Sequence, residues 1–116
     1  MAQEHEITFG PFRLEMLPGR LWRGDHLIPL RPRSLAMLCY LAAHPGRLVT
    51  KAEVQQHVWG STHVTPTVLR VCAREIRAAL GDAAGAPRYL VTVGRQGYRW
   101  LGGGELVAHA HQANRL

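Results

Sequence analysis

The stretch TPTVLRVCAREIRAAL, residues 65–80, limits the possible folds of this chain more than any other. Leu69, Ala73, Ile76 and Leu80 recur at helical spacing, so one α-helix gathers them into an apolar stripe that must be buried. Arg70, Arg74 and Arg77 fall on a second stripe of the same helix. One face therefore docks on a core while the other carries three guanidinium groups outward. Thr65 stands at the N-cap, Pro66 suits a first turn where its missing N–H costs nothing, and Gly81 follows the last apolar residue as a stop.

The rest of the chain supplies what that helix packs on. Short alternating runs, Ile7-Thr8-Phe9, Phe12-Arg13-Leu14-Glu15-Met16, Leu21-Trp22-Arg23 and Leu27-Ile28-Pro29-Leu30, are separated by Gly10-Pro11, Pro18-Gly19 and Gly24-Asp25. They predict strands joined by tight turns in a small antiparallel sheet with one buried face, and Pro29 assigns the fourth to an edge or end. A first helix is expected over residues 32–44, opened by Pro32 and stopped by Pro45-Gly46. Thr50-Lys51-Ala52-Glu53 reads as a capping box for a second helix that turns Val54 and Val58 inward and closes at Gly60, with residues 61–64 as a short loop. Tyr89-Leu90-Val91-Thr92-Val93, the turn Gly94-Arg95-Gln96-Gly97 and Tyr98-Arg99-Trp100-Leu101 predict a β-hairpin with a basic tip. Residues 1–6 and the glycine-led tail, 102–116, are expected to be flexible, the tail as a linker cut short from a longer regulator.

A sheet, three helices with a sharp turn between the last two, and a closing hairpin make an α+β chain in the order of a winged helix-turn-helix. At 116 residues this is one domain, and 47% hydrophobic against 19% charged residues argues against disorder. The net charge of +6 favours a polyanionic partner over mere solubility, and the placement of the charges matters more than their sum. Cys39 and Cys72 lie among apolar neighbours without CxxC spacing and read as buried free thiols in a reduced, cytoplasmic protein. The longest apolar stretch, residues 35–43, is far short of the ~20 residues that cross a bilayer. Seven histidines include His57, His63, His109 and His111, none at a metal-binding spacing, so no metal or cofactor is implied. No glycine-rich phosphate loop, GxSxG or paired carboxylates beside a nucleophile is present, and the chain does not read as an enzyme.

A helix written this way suits a DNA groove. A helix about 10 to 12 Å across fits a major groove about 12 Å wide, where arginine grips phosphate or the O6/N7 edge of guanine. Thr67, Arg70 and Arg74, near the helix N-terminus, are the base-edge candidates; Arg77, a turn later, is a phosphate candidate, as is Thr92 in the hairpin. A solvated basic face is the competing reading, but Glu75 is the helix's single acid and cannot neutralise three arginines.

The segments LRPRSLAMLCYLAAHPGRLVTKAEVQQHVWG, VLRVCAREIRAALGD and YLVTVGRQGYRW, in this order and spacing, resemble the C-terminal output domain of OmpR/PhoB-type transcriptional regulators over residues 7–101. The wording VLRVCAREIR is most similar to the CadC-like or ToxR-like branch, whose winged helix follows no phosphorylated receiver. The resemblance implies helix three in the major groove of double-stranded DNA, the hairpin wing at the minor groove, the 60–65 loop toward RNA polymerase or a neighbouring subunit, and pairing on tandem half-sites. It implies backbone contacts for the indole N–H of Trp59 and the hydroxyl of Tyr98, where either ring otherwise reads as core. Arg95 replaces the family's minor-groove arginine, which aligns with Gly94. Arg31 stands where the family caps helix one with threonine or serine; it cannot accept from the free N–H groups and reaches instead for phosphate. Arg70 and Glu75 also depart from the family's pattern. Glu75 either accepts from cytosine or, preferably, holds Arg74 or Arg77. The expected function is sequence-specific DNA binding in transcriptional regulation; the alternative is a protein-interaction or assembly module that binds nucleic acid only through charge.

Overall fold

The computed structural model describes residues 5–16, 19–103 and 105–108. Two antiparallel sheets flank three helices. The first contains β1 (His5–Phe9), β2 (Phe12–Glu15), β3 (Arg20–Arg23) and β4 (His26–Ile28), joined in sequence as a meander. Alternation buries Ile7, Phe9, Phe12, Leu14 and Leu21 on one face, as the period of two requires. β4 stops at Ile28 and forms the sheet's outer edge, where Pro29 ends its pairing without loss of an interior ladder bond.

Helix α1 (Pro32–Ala42) turns Met37, Leu38 and Leu41 inward, and β5 (Leu48–Thr50) follows. Helix α2 (Lys51–Val54) continues as a π-helical segment, Gln55–Trp59, that ends at Gly60. Helix α3 (Pro66–Leu80) buries Leu69, Cys72, Ala73, Ile76 and Leu80. Its end is a Schellman turn: Gly81 adopts φ +65°, and Asp82 N–H donates to Arg77 O at 2.8 Å. β6 (Leu90–Val93) and β7 (Gly97–Trp100) form the hairpin, and β7 also pairs with β5, giving the order β5-β7-β6. Phe9, Phe12, Tyr89 and Trp100 pack ring against ring at centroid distances of 4.9 to 5.9 Å, joining the two sheets through one aromatic cluster.

Three local expectations need correction. The Thr50 box forms only by half: Thr50 Oγ1 accepts from Glu53 N–H at 3.1 Å, but the Glu53 carboxylate is taken by Arg47 and the Tyr40 hydroxyl. Thr50 is also the last residue of β5, opposite Gly97. Thr65 occupies the N-cap of α3, yet its side chain makes no capping bond. The expected flexible ends are partly strands: β1 begins at His5, and β8 (Glu105–Ala108) pairs antiparallel with it, His5 opposite Ala108, supplying ladder partners to an otherwise open edge. Residues 1–4 and 109–116, with His109 and His111, lie outside the described residues.

Candidate nucleic-acid interface

The side of α3 away from its apolar stripe is open. Arg70 and Arg74 are exposed, as is Thr67, whose Oγ1 accepts from Arg70 Nη2 at 3.1 Å across one helical turn. The base-edge candidates thus share one surface, and two of them steady each other. Arg70, Arg74, Arg77, Thr92 and Tyr98 line a cleft of about 420 Å³ between α3 and the hairpin. Arg95 is exposed in the hairpin turn, and that turn is tied to α2 by Lys51 N–H donating to Gln96 O at 3.1 Å.

Arg77 is not simply a free cation. Its Nε and Nη2 donate to Leu90 O at 3.3 and 3.2 Å, and Nη2 also donates to Thr92 Oγ1 at 2.7 Å. Two expected phosphate ligands, Arg77 and Thr92, therefore bond each other and fasten α3 to β6. Asp82 adds a second fastening just beyond the helix: its carboxylate accepts from the backbone N–H groups of Arg88, Tyr89 and Leu90 at 2.7, 3.1 and 2.9 Å. Burial pushes the Asp82 pKa up, but these N–H donors outweigh it and hold the carboxyl below its ordinary value.

Glu75 does not hold Arg74 or Arg77. It accepts from Arg31 and, at 2.6 Å, from the buried Ser34 hydroxyl, so it joins α3 to the start of α1. Helical geometry gives the reason: Glu75 projects from the flank facing α1, whereas Arg77 projects from the flank facing the hairpin. The hydrogen bond from Arg31 holds Glu75 below the ordinary carboxylate value, with Ser34 contributing next. Arg31 remains exposed beside the α3 surface, although engaged in this pair.

Both family-implied aromatic contacts are core residues. Tyr98 is 1% exposed and Trp59 8% exposed. Tyr98 nevertheless forms part of the arginine-lined cleft, and burial raises its pKa despite the opposing charges of Arg77 and Arg70, keeping the hydroxyl a neutral donor. Trp59 carries the Arg33 guanidinium 6.0 Å above its ring while Arg33 donates to Val58 O. The part sequence reasoning missed is the set of fastenings: Asp82, Ser34 and the Arg77–Thr92 pair. Only Asp82, directly after the stop glycine, carried a local signal.

Among the described residues, no helix is long and apolar enough to cross a membrane. The sequence pattern of the family "Transcriptional regulatory protein, C terminal" matches residues 24–100. The chain is 36% identical over 95 residues to the transcriptional regulatory protein KdpE of Mycobacterium tuberculosis, covering 81% of this chain and 42% of that protein. It thus spans less than half the length of the regulators it resembles. The fold is similar to the DNA-binding domain of Escherichia coli CadC, with TM-score 0.73 at 24% identity over 92% of this chain and 99% of that one. It is equally similar to the Klebsiella pneumoniae RstA DNA-binding domain solved in complex with the RstA box, with TM-score 0.73 at 23% identity over 84% and 97%. A winged helix whose open α3 face is braced on both flanks, matched by the family pattern across most of its length, belongs to the transcriptional regulatory protein C-terminal family of OmpR/PhoB type.

Proposed function

We propose that this domain binds double-stranded DNA sequence-specifically and serves a cytoplasmic transcriptional regulator as its DNA-reading unit. The observation that carries the reading is the convergence of Arg70, Arg74 and Arg77 on one cleft between α3 and the hairpin. Three cations on one side of a helix, against the one cleft carboxylate of Asp82 that backbone N–H groups occupy, match a phosphate-lined groove in charge as well as width. Thr67, Arg70 and Arg74 meet base edges; Arg95 reaches the minor groove from the wing. Arg31 and Thr92 serve the DNA backbone, Arg31 alongside its pairing with Glu75, while the buried Tyr98 and Trp59 line the clefts beneath them. Arg77 acts chiefly by fixing the angle between helix and wing, with Nη1 left for phosphate.

The 60–65 loop is the surface for RNA polymerase in this reading. Residues 61–63 are exposed, and Gln55 holds the loop in one shape by donating to Thr62 O and accepting from Val64 N–H. Two domains occupy tandem half-sites, a turn of DNA apart.

In vitro selection from random duplexes at physiological salt tests the proposal. One enriched motif is expected, with Arg70→Ala or Arg74→Ala weakening binding by ~1 to 3 kcal/mol and relaxing preference at one position. Failure to enrich any motif would instead favour an assembly module with charge-driven binding.

A further inference from the structure

Val68 is the one exposed large hydrophobic residue on a helix among the described residues, at 37% exposure. It contributes nothing that α3 needs for docking, since Leu69, Cys72, Ala73, Ile76 and Leu80 occupy the core. A β-branched residue in a first turn also gives no helix-propensity advantage. Val68 opens instead onto a groove of about 540 Å³ between the start of α1 and α3, lined also by Val71, Trp59, Pro32, the Thr67 hydroxyl and the guanidinium-bearing Arg31 and Arg33. Both arginines are exposed, so the groove has an apolar floor and a cationic rim.

Most polar residues of α3 already have partners, and Thr67 alone of them lines this groove. Arg70 turns to Thr67, Arg77 is bonded to the wing, and Glu75 is occupied by Arg31 and Ser34. A base edge seated on the Val68 methyls, rather than on the Thr67 hydroxyl beside them, meets neither donor nor acceptor. In the major groove only thymine offers an apolar group, its C5-methyl, while a cytosine amino group placed there would lose its water without a replacement partner.

Building on the DNA-binding reading, we propose that Val68 is a specificity-determining residue that receives a thymine C5-methyl at one position of the half-site. Arg31 and Arg33 hold the backbone phosphate of the same strand. Thymine is selected at that step by methyl contact rather than by hydrogen bonding.

Deoxyuridine differs from thymidine only in lacking that methyl. In the selected duplex, each thymine is replaced in turn by deoxyuridine, and affinity is measured for the intact chain and for Val68→Ala. At one position the intact chain loses about fourfold in affinity, the worth of one buried methyl group. Val68→Ala loses a similar factor on the thymine duplex and becomes indifferent to deoxyuridine there. Because Val68 is exposed, the variant keeps its fold, which its circular dichroism and melting curve verify. An enriched motif with no deoxyuridine-sensitive thymine overturns the Val68 assignment and leaves DNA reading intact. Sensitivity that persists undiminished in Val68→Ala also overturns it. Absence of any motif overturns the underlying reading as well.

Discussion

Replacing Asp82 with alanine should detach the wing from the end of the recognition helix. The carboxylate accepts three backbone N–H groups, two of them from the buried residues Tyr89 and Leu90. A hydrogen bond to a charged group is worth ~1.5 to 3 kcal/mol net, and water can replace the one to exposed Arg88. The two inward bonds at the low end of that range set the expected loss at about 3 kcal/mol, because alanine leaves both donors without an acceptor. Urea denaturation at pH 7 reads this as a midpoint lower by about 1.5 M for an ordinary m-value. The pH dependence supplies an independent arm. Because the folded Asp82 pKa is depressed, its contribution is complete above the unfolded value near 3.9 and disappears as pH falls through the lower folded value. The stability gap between the native chain and Asp82→Ala should therefore close below about pH 4. A loss under about 0.5 kcal/mol at pH 7, or a gap that persists undiminished at pH 2, would refute the reasoning.

Gly97→Ala should be strongly destabilising: a Cβ there would lie 2.0 Å from Val49 O and 2.8 Å from Thr50 Cα, both backbone, so β5 must part from β7. A thermal melt should show a cost of at least ~2 kcal/mol. Arg77→Ala should lower both the melting temperature and the affinity for every duplex alike, since it cuts the tie to Leu90 and Thr92, whereas Arg74→Ala should leave the melt unchanged. Carboxyl-resolved NMR titration should place Glu53 at about 2, held down first by Arg47 and then by the Tyr40 hydroxyl. Arg47→Ala should return it toward the ordinary carboxylate value; an unchanged titration would remove Arg47 as the cause.

The helices were legible because burial and periodicity coincide in them. Leu69, Ala73, Ile76 and Leu80 announce α3, and Pro66 and Gly81 bracket it, so its bounds follow from local chemistry. β5 was not legible: Leu48-Val49-Thr50 is too short to display an alternation, and only its pairing with β7 makes it a strand. β8 lies behind three glycines and depends on the waiting edge of β1. Among the interface residues, the exposed pair Arg70 and Arg74 could be read from their stripe, because exposure on a helix is itself periodic. Partners distant in sequence could not. Nothing near Glu75 identifies Arg31 or Ser34 as its companions, since they sit at the N-cap and in the first turn of another helix and meet it only after packing.

The pairing of His5 with Ala108 has a mechanical consequence. Residues 5 and 108 leave the first sheet from the same end of adjacent antiparallel strands, so tension applied between them peels one ladder bond at a time instead of shearing the whole pair at once. The hairpin and α3 share no strand with that pair. A load arriving through either end is spent on opening the β1–β8 clasp, well before it can tilt the helix that carries Arg70 and Arg74.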